Sequence, residues 1–254
     1  VVTFSARAPG TPETAWAASM KLRALPALQL GDIESVVVIS AHPDDEALGA
    51  GGLIARLASE GIPVTFIVAT NGEASHPDSP THSAIELRRR RRAEMSAAAA
   101  VMAPGSSVTF LSLPDGRLGE YITELHDAIR DGVGDGANVL ILSPWKEDRH
   151  PDHRAAALAA RKVARHVSVT LLEYPIWFWH WADANEVTAP WPLMRRHELS
   201  EADLRIKSEA LEQHRSQVAP LSSQPGDEAV VDPASLRYFL RDFEVYVVAR
   251  RDRE

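Results

Sequence analysis

No cysteine occurs among the 254 residues. Disulfides, thiolate zinc sites and cysteine nucleophiles are thereby excluded, and a transition metal would have to be held by histidine and carboxylate. Basic residues are in the minority, 27 Lys and Arg against 35 Asp and Glu, for a formal net charge of −8. Nucleic acid is not an expected partner, because its binders carry a basic excess. No apolar run approaches the roughly 20 residues of a membrane span. The opening stretch VVTFSARAPGTPETAWAASM lacks the basic start and apolar core of a secretory signal. Cytoplasmic residence is the resulting expectation.

What is present alternates. Runs rich in β-branched residues stand at 35–40, 63–70, 107–113, 138–143 and 167–174, each continuous as in strands covered on both faces. Helical stretches separate them at 46–61, 84–102, 118–132 and 151–164. This order predicts an α/β fold: a Rossmann-like, doubly wound, mainly parallel sheet with helices on both faces and a C-terminal extension. Residues 1–34 read as an N-terminal arm with a short helix, and 35–254 as a single α/β domain. From about 175 an aromatic insertion, PIWFWHWADANEVTAPWP, opens a C-terminal subdomain. There, SEADLRIKSEALEQHRSQ reads as a capped helix, with Ser200 and Asp203 in capping-box spacing. A short helix and one further strand close the chain.

Ligands in such sheets bind outside the carboxyl ends of the strands. SAHPDDEALGAGG (40–52) follows the first strand and crowds His42, Asp44, Asp45 and Glu46 together. One aspartate would suffice to cap a helix; this density of acid asks for a cation. HPDH (150–153) follows the fourth strand, with Pro151 at a first helical position. Two imidazoles and one carboxylate suit catalytic zinc, which polarises a carbonyl and acidifies bound water. Of two adjacent aspartates, one would bind metal and the other handle a proton.

AHPDDE followed by HPDH resembles the PIG-L/LmbE-like N-deacetylase family. The likeness runs over roughly residues 35–217 and includes RRAE (91–94), FLSLPDG (110–116) and KSEALEQHRSQ (207–217). The resemblance implies one Zn2+ per chain, with Fe2+ an alternative, held by His42, Asp45 and His153. It implies Asp44 as general base, and His150, oriented and raised in pKa by Asp152, as the cationic or acid group at the tetrahedral intermediate. The implied partner is a small-molecule amino-sugar conjugate that loses an acetyl or other acyl group from its amide nitrogen. A homo-oligomer is compatible with it. The mycothiol-pathway branch has an aromatic residue two positions before HPDH; here stands Asp148, which would orient a histidine or contact substrate instead.

Arg91 is expected to face substrate or pair with Glu94, while the other arginines of 88–92 solvate their helix. In WFWHW (177–181), Trp177 and Trp179 either stack on substrate or pack in the core. His180 is read as a polar member of that segment, and His76 and His82 as loop histidines. The small residues GAGG (49–52) lack dinucleotide spacing and are expected to let a helix pack closely on the sheet. Two other functions fit the same residues: an amidase on a sugar–amino acid conjugate, and a metal-containing sugar-binding module without catalysis.

Overall fold

The computed structural model describes residues 8–166, 169–186 and 188–249. Two short helices, α1 (Glu13–Ala18) and α2 (Met20–Arg23), precede the alternating core. The core comprises β1 (Ser35–Ser40), α3 (Asp45–Ser59), β2 (Val64–Val68), α4 (Ala84–Met102), β3 (Ser107–Phe110), α5 (Ile122–Val133), β4 (Val139–Pro144), α6 (Pro151–His166) and β5 (Thr170–Tyr174). Then come α7 (Phe178–Trp181), β6 (Met194–Glu198), α8 (Glu201–Gln213), α9 (Arg215–Val218), α10 (Pro233–Leu236) and β7 (Phe243–Val248).

Among the described residues, seven strands form one sheet in the order β3-β2-β1-β4-β5-β7-β6. The first five are parallel, and β7 and β6 add antiparallel strands at one side. Strand alternation decides which face each side chain serves. Val36 and Val38 join a core with residues of α3, α4 and α8, whereas Val37 and Ile39 join one with α5 and α6. Burying each such side chain is worth about 1.5–3 kcal/mol, and these paired faces lock the register of β1. The α6 face buries Ala155, Ala156, Ala159 and Ala160, small enough to bring that helix close to the sheet. The strand order reverses between β1 and β4, so the crevice of this fold opens at their carboxyl ends. AHPDDE and HPDH follow those two neighbouring strands.

GAGG does serve packing: a Cβ on Gly49 would lie 2.2 Å from the Tyr174 ring of β5. The Ser200–Asp203 capping box is present at the start of α8. Other expectations shift. The N-terminal helix breaks at Ser19, whose side chain caps α2. The last short helix starts at Pro233, behind the Asp232 cap. β6 was not anticipated: MRRHE has little strand character, and pairing with β7, with a bridge from Ala27 to Arg196 on the other side, makes it a charged last strand of the sheet. Of the strand expected at 167–174, positions 167 and 168 lie outside the described residues. Among the described residues no helix is long and apolar enough to cross a membrane.

Candidate active site

The turn after β1 is a strained one. Asp44 has φ 128°, a value that non-glycine residues hold only when their surroundings impose it. Arg91 supplies that constraint from α4. Its guanidinium donates to the carbonyls of Pro43 and Gly72 and stands 3.3 Å from the Asp44 carboxylate. Gly72, at φ 64°, cannot be replaced easily, since a Cβ there would sit 1.9 Å from the same guanidinium. Glu46, the third acid, points inward and is fully buried. It accepts from the Ser40 hydroxyl at 2.9 Å and the Asp44 N–H at 3.3 Å, and meets His214 Nε2 at 3.1 Å. Burial works against a charge on His214, but Glu46 holds its pKa above the ordinary imidazole value.

Asp45 turns the other way, toward two histidines. Its carboxylate accepts from the His42 N–H at 2.9 Å, faces His42 Nδ1 at 3.7 Å and His153 Nε2 at 3.3 Å. Each imidazole is held from behind by a carboxylate. His153 Nδ1 meets Asp148 at 2.7 Å, while His42 Nε2 lies 3.1 Å from Asp152 and 3.2 Å from Asp115. His153 Nε2 is buried and makes no hydrogen bond. A buried nitrogen short of a hydrogen bond costs stability unless another group engages it, and here the Asp45 carboxylate faces it. Burial opposes charge on both rings. Even so, Asp45 and Asp148 hold His153 up at about 9, and Asp115 and Asp152 hold His42 well above its ordinary value. Asp45, despite burial, is held well below the usual carboxylate range by His153 and His42.

His150 closes the cluster, its ring centroid 4.8 Å from that of His42 and 4.7 Å from that of His153. The three imidazoles together could hold a metal ion, as could His42 with Asp115 and Asp152. The backbone N–H of Asp152 donates to His150 Nδ1 at 3.2 Å. An acceptor at Nδ1 places the ring proton on Nε2. Burial, with the charges of His153 and His42, pushes this ring down to about 2, so it stays neutral. Asp152 thus orients His150 through its backbone N–H and not its carboxylate, and its charge raises the His150 pKa only against the larger opposing effects of burial and the two neighbouring rings. The Asp152 side chain serves His42 and accepts from the N–H groups of Gly116 at 2.8 Å and Leu118 at 3.1 Å. Asp148 is the orienting acid its position suggested, but for His153, and it also accepts from the N–H groups of Ile176, Trp177 and Phe178.

Burial pushes the Asp44 carboxyl up to about 6, with Arg91 pulling the other way and Asp45 adding to the rise. Asp44 opens on a cavity of about 280 Å³ that also meets His42, Asp45, Arg91, Asp115, His150, Trp177 and His180. Arg91 thus reaches the cavity, but Glu94 pairs with Arg90 and Ser216 rather than with it. Trp179 does not reach it. Its indole is buried, donates to the Pro175 carbonyl and packs edge-on against Trp16 at 5.1 Å, so its expected contact with substrate is corrected to a core role. His76 is fixed rather than free, buried and 3.0 Å from the Glu228 carbonyl. Asp115 escaped the sequence reading although PDG follows β3; nothing in its spacing revealed that it reaches His42. Tyr238 and Phe239 of the cavity wall carried no local signal at all.

Comparison with known proteins places this geometry in a family. Diacetylchitobiose deacetylase of Thermococcus kodakarensis is 33% identical over 133 residues, covering 49% of this chain and 47% of that protein. The 1D-myo-inositol 2-acetamido-2-deoxy-alpha-D-glucopyranoside deacetylase of Segniliparus rotundus is 32% identical over 143 residues, covering 55% and 44% respectively. The chain spans about half the length of these curated relatives. A conserved protein of Thermus thermophilus shares the fold, with a TM-score of 0.60 at 24% identity over 87% of this chain and 97% of that one. The family model described as PIG-L, GlcNAc-PI de-N-acetylase, matches residues 37–164. That stretch is just over half of the chain and contains both histidine–aspartate loops, and on that match the chain belongs to the PIG-L family.

Proposed function

We propose that this protein hydrolyses the N-acyl amide of an amino-sugar conjugate, with a divalent metal, zinc in the first instance, held by His42, Asp45 and His153. One observation carries the reading. Two histidines each have one nitrogen braced by a carboxylate and the other turned toward Asp45, and one of those inner nitrogens is buried without a hydrogen bond. Imidazoles braced by a carboxylate on one nitrogen, with the other turned to a shared carboxylate, are the usual preparation for a metal. Two imidazoles and a carboxylate are the donor set of catalytic zinc. His150 is not counted among the ligands, because its inner nitrogen carries the proton.

Zinc bound there polarises a carbonyl and makes water more acidic. The chain's own residues do the rest. Asp44, with its pKa raised to about 6, takes a proton from the attacking water at a pH where it is still largely ionised. His150 donates from Nε2–H to the acyl oxygen as negative charge develops there. The amide C–N bond then breaks, Asp44 returns the proton to the departing nitrogen, and a free amine and a carboxylic acid result, the acid losing its remaining proton to solvent. Both relatives named above are deacetylases, one named for a 2-acetamido sugar and the other for diacetylchitobiose, which supports an N-acetylated amino sugar as the substrate class.

The test is release of primary amine from a panel of N-acetylated amino sugars by zinc-loaded protein. The expected result is turnover that a chelator abolishes and added zinc restores. Amine release that persists undiminished in metal-free protein, or none from any member with zinc bound, would refute the reading.

A further inference from the structure

The cavity beside the cluster has two unlike walls. One carries the charged groups already described. The other is built of Leu48, Ile176, Val230, Val231, Tyr238 and Phe239. The Tyr238 hydroxyl is already engaged, donating to the Thr11 carbonyl at 2.6 Å. Two neighbouring polar groups are similarly engaged: the Ser75 hydroxyl lies 2.9 Å from His76 Nδ1, and the Gln217 amide donates to Ser216 at 2.9 Å.

This wall is held in place. Asp227, buried, accepts hydrogen bonds from Ser79 and Thr81 of the β2–α4 loop and from Ser222 of its own. His76 adds its contact to the Glu228 carbonyl. The segment bearing Val230 and Val231 is thus tied to the loop bearing Ser75 before any ligand arrives. A bare amino sugar would press hydroxyls against carbon here, and a buried hydroxyl without a partner weakens binding.

We propose that the substrate bears an apolar group of several carbons on its amino sugar, and that this wall receives it; the proposal rests on the hydrolase reading above. The same chemistry arises from a long N-acyl chain or from an alkyl or aryl aglycone. Two matched series separate them: N-acyl glucosamines from acetyl to octanoyl, and N-acetylglucosaminides from methyl to octyl, each assayed for kcat/KM by amine release. Burial of one methylene corresponds to about a fourfold gain. One series should therefore climb by roughly that factor per methylene until the wall is covered, and which one climbs identifies the group. Val231→Asn should flatten the climb, and Phe239→Ala should do so independently. A flat or falling kcat/KM in both series, with the shortest members hydrolysed, overturns the proposal and leaves the hydrolase reading standing. Where no member is hydrolysed, the hydrolase reading fails and binding of free-amine alkyl glucosaminides decides: affinity climbing with chain length supports the wall, and chain-independent affinity overturns it.

Discussion

The charged and the apolar walls of the cavity come from different parts of the chain and tolerate error differently. The charged wall is assembled from the loops that follow β1, β3 and β4 and from Arg91 of α4, all within the stretch 37–164 that matches the family. The apolar wall draws mainly on residues 176–239, beyond that match. On the charged side, His42 and His153 depend on particular carboxylates behind them, and His150 on one backbone N–H. On the apolar side, carbon of roughly the right shape suffices, because dispersion and hydrophobic burial are not directional. Under the proposed function, bond-breaking would fall to the family-matched half and substrate choice to the rest.

The largest effect that would sharpen this division belongs to Asp44. Asp44→Asn keeps the shape and removes the proton acceptor. Turnover should fall by about a hundredfold to ten-thousandfold, with KM little changed and zinc content normal by elemental analysis. Loss of zinc in this variant, with zinc retained in Asp45→Asn, would exchange the two roles.

Asp148 comes next. Asp148→Asn removes the charge behind His153 and should weaken zinc binding by about ten- to a hundredfold, measured by competition with a chelator. The pH dependence has a definite sign. In metal-free protein His153 is protonated below its pKa of about 9, and metal must displace that proton. Zinc affinity should therefore rise with pH through neutrality, about tenfold per unit for each proton released. With Asp148 neutralised, the His153 pKa falls and the dependence should become shallower. An unaltered slope in Asp148→Asn would break the assignment of Asp148 to His153.

The smallest effect on the reaction lies on the other side of the cavity, in a pair of tryptophans two residues apart. Trp177 lines the cavity, whereas Trp179 lies in the core. Trp177→Ala should raise KM severalfold with kcat and zinc content nearly unchanged. Trp179→Ala should leave KM alone and cost about 3–5 kcal/mol of stability, visible as a lowered Tm. The reverse pattern would mean that the boundary between wall and core has been drawn in the wrong place.

The parallel core was legible because its strands are covered on both faces and announce themselves as β-branched runs; α4 could be bounded to the residue, Ala84 to Met102. β6 was not, because a charged last strand gains its conformation from its pairing partners. His42, Asp44, Asp45, His150, Asp152 and His153 could be nominated from the two loops after β1 and β4, since neighbouring strands must bring such loops together. Trp177 and Trp179 could not be told apart, because helical position alone does not say which indole meets an empty space and which meets Trp16.

Local order and chemical type were determined by the sequence itself: the alternation of strand and helix, the absence of thiol ligands, and the density of His and Asp at two strand ends. Only the tertiary structure decided which acid stands behind which histidine. Asp152 lies two residues from His150 yet its carboxylate serves His42, 110 positions away, while Asp148 serves His153 and anchors the backbone at 176–178. Proximity in sequence constrains the backbone, but a carboxylate settles where donors converge in space. At the edge of this sheet those donors are contributed by separate loops that only the packed fold brings within reach.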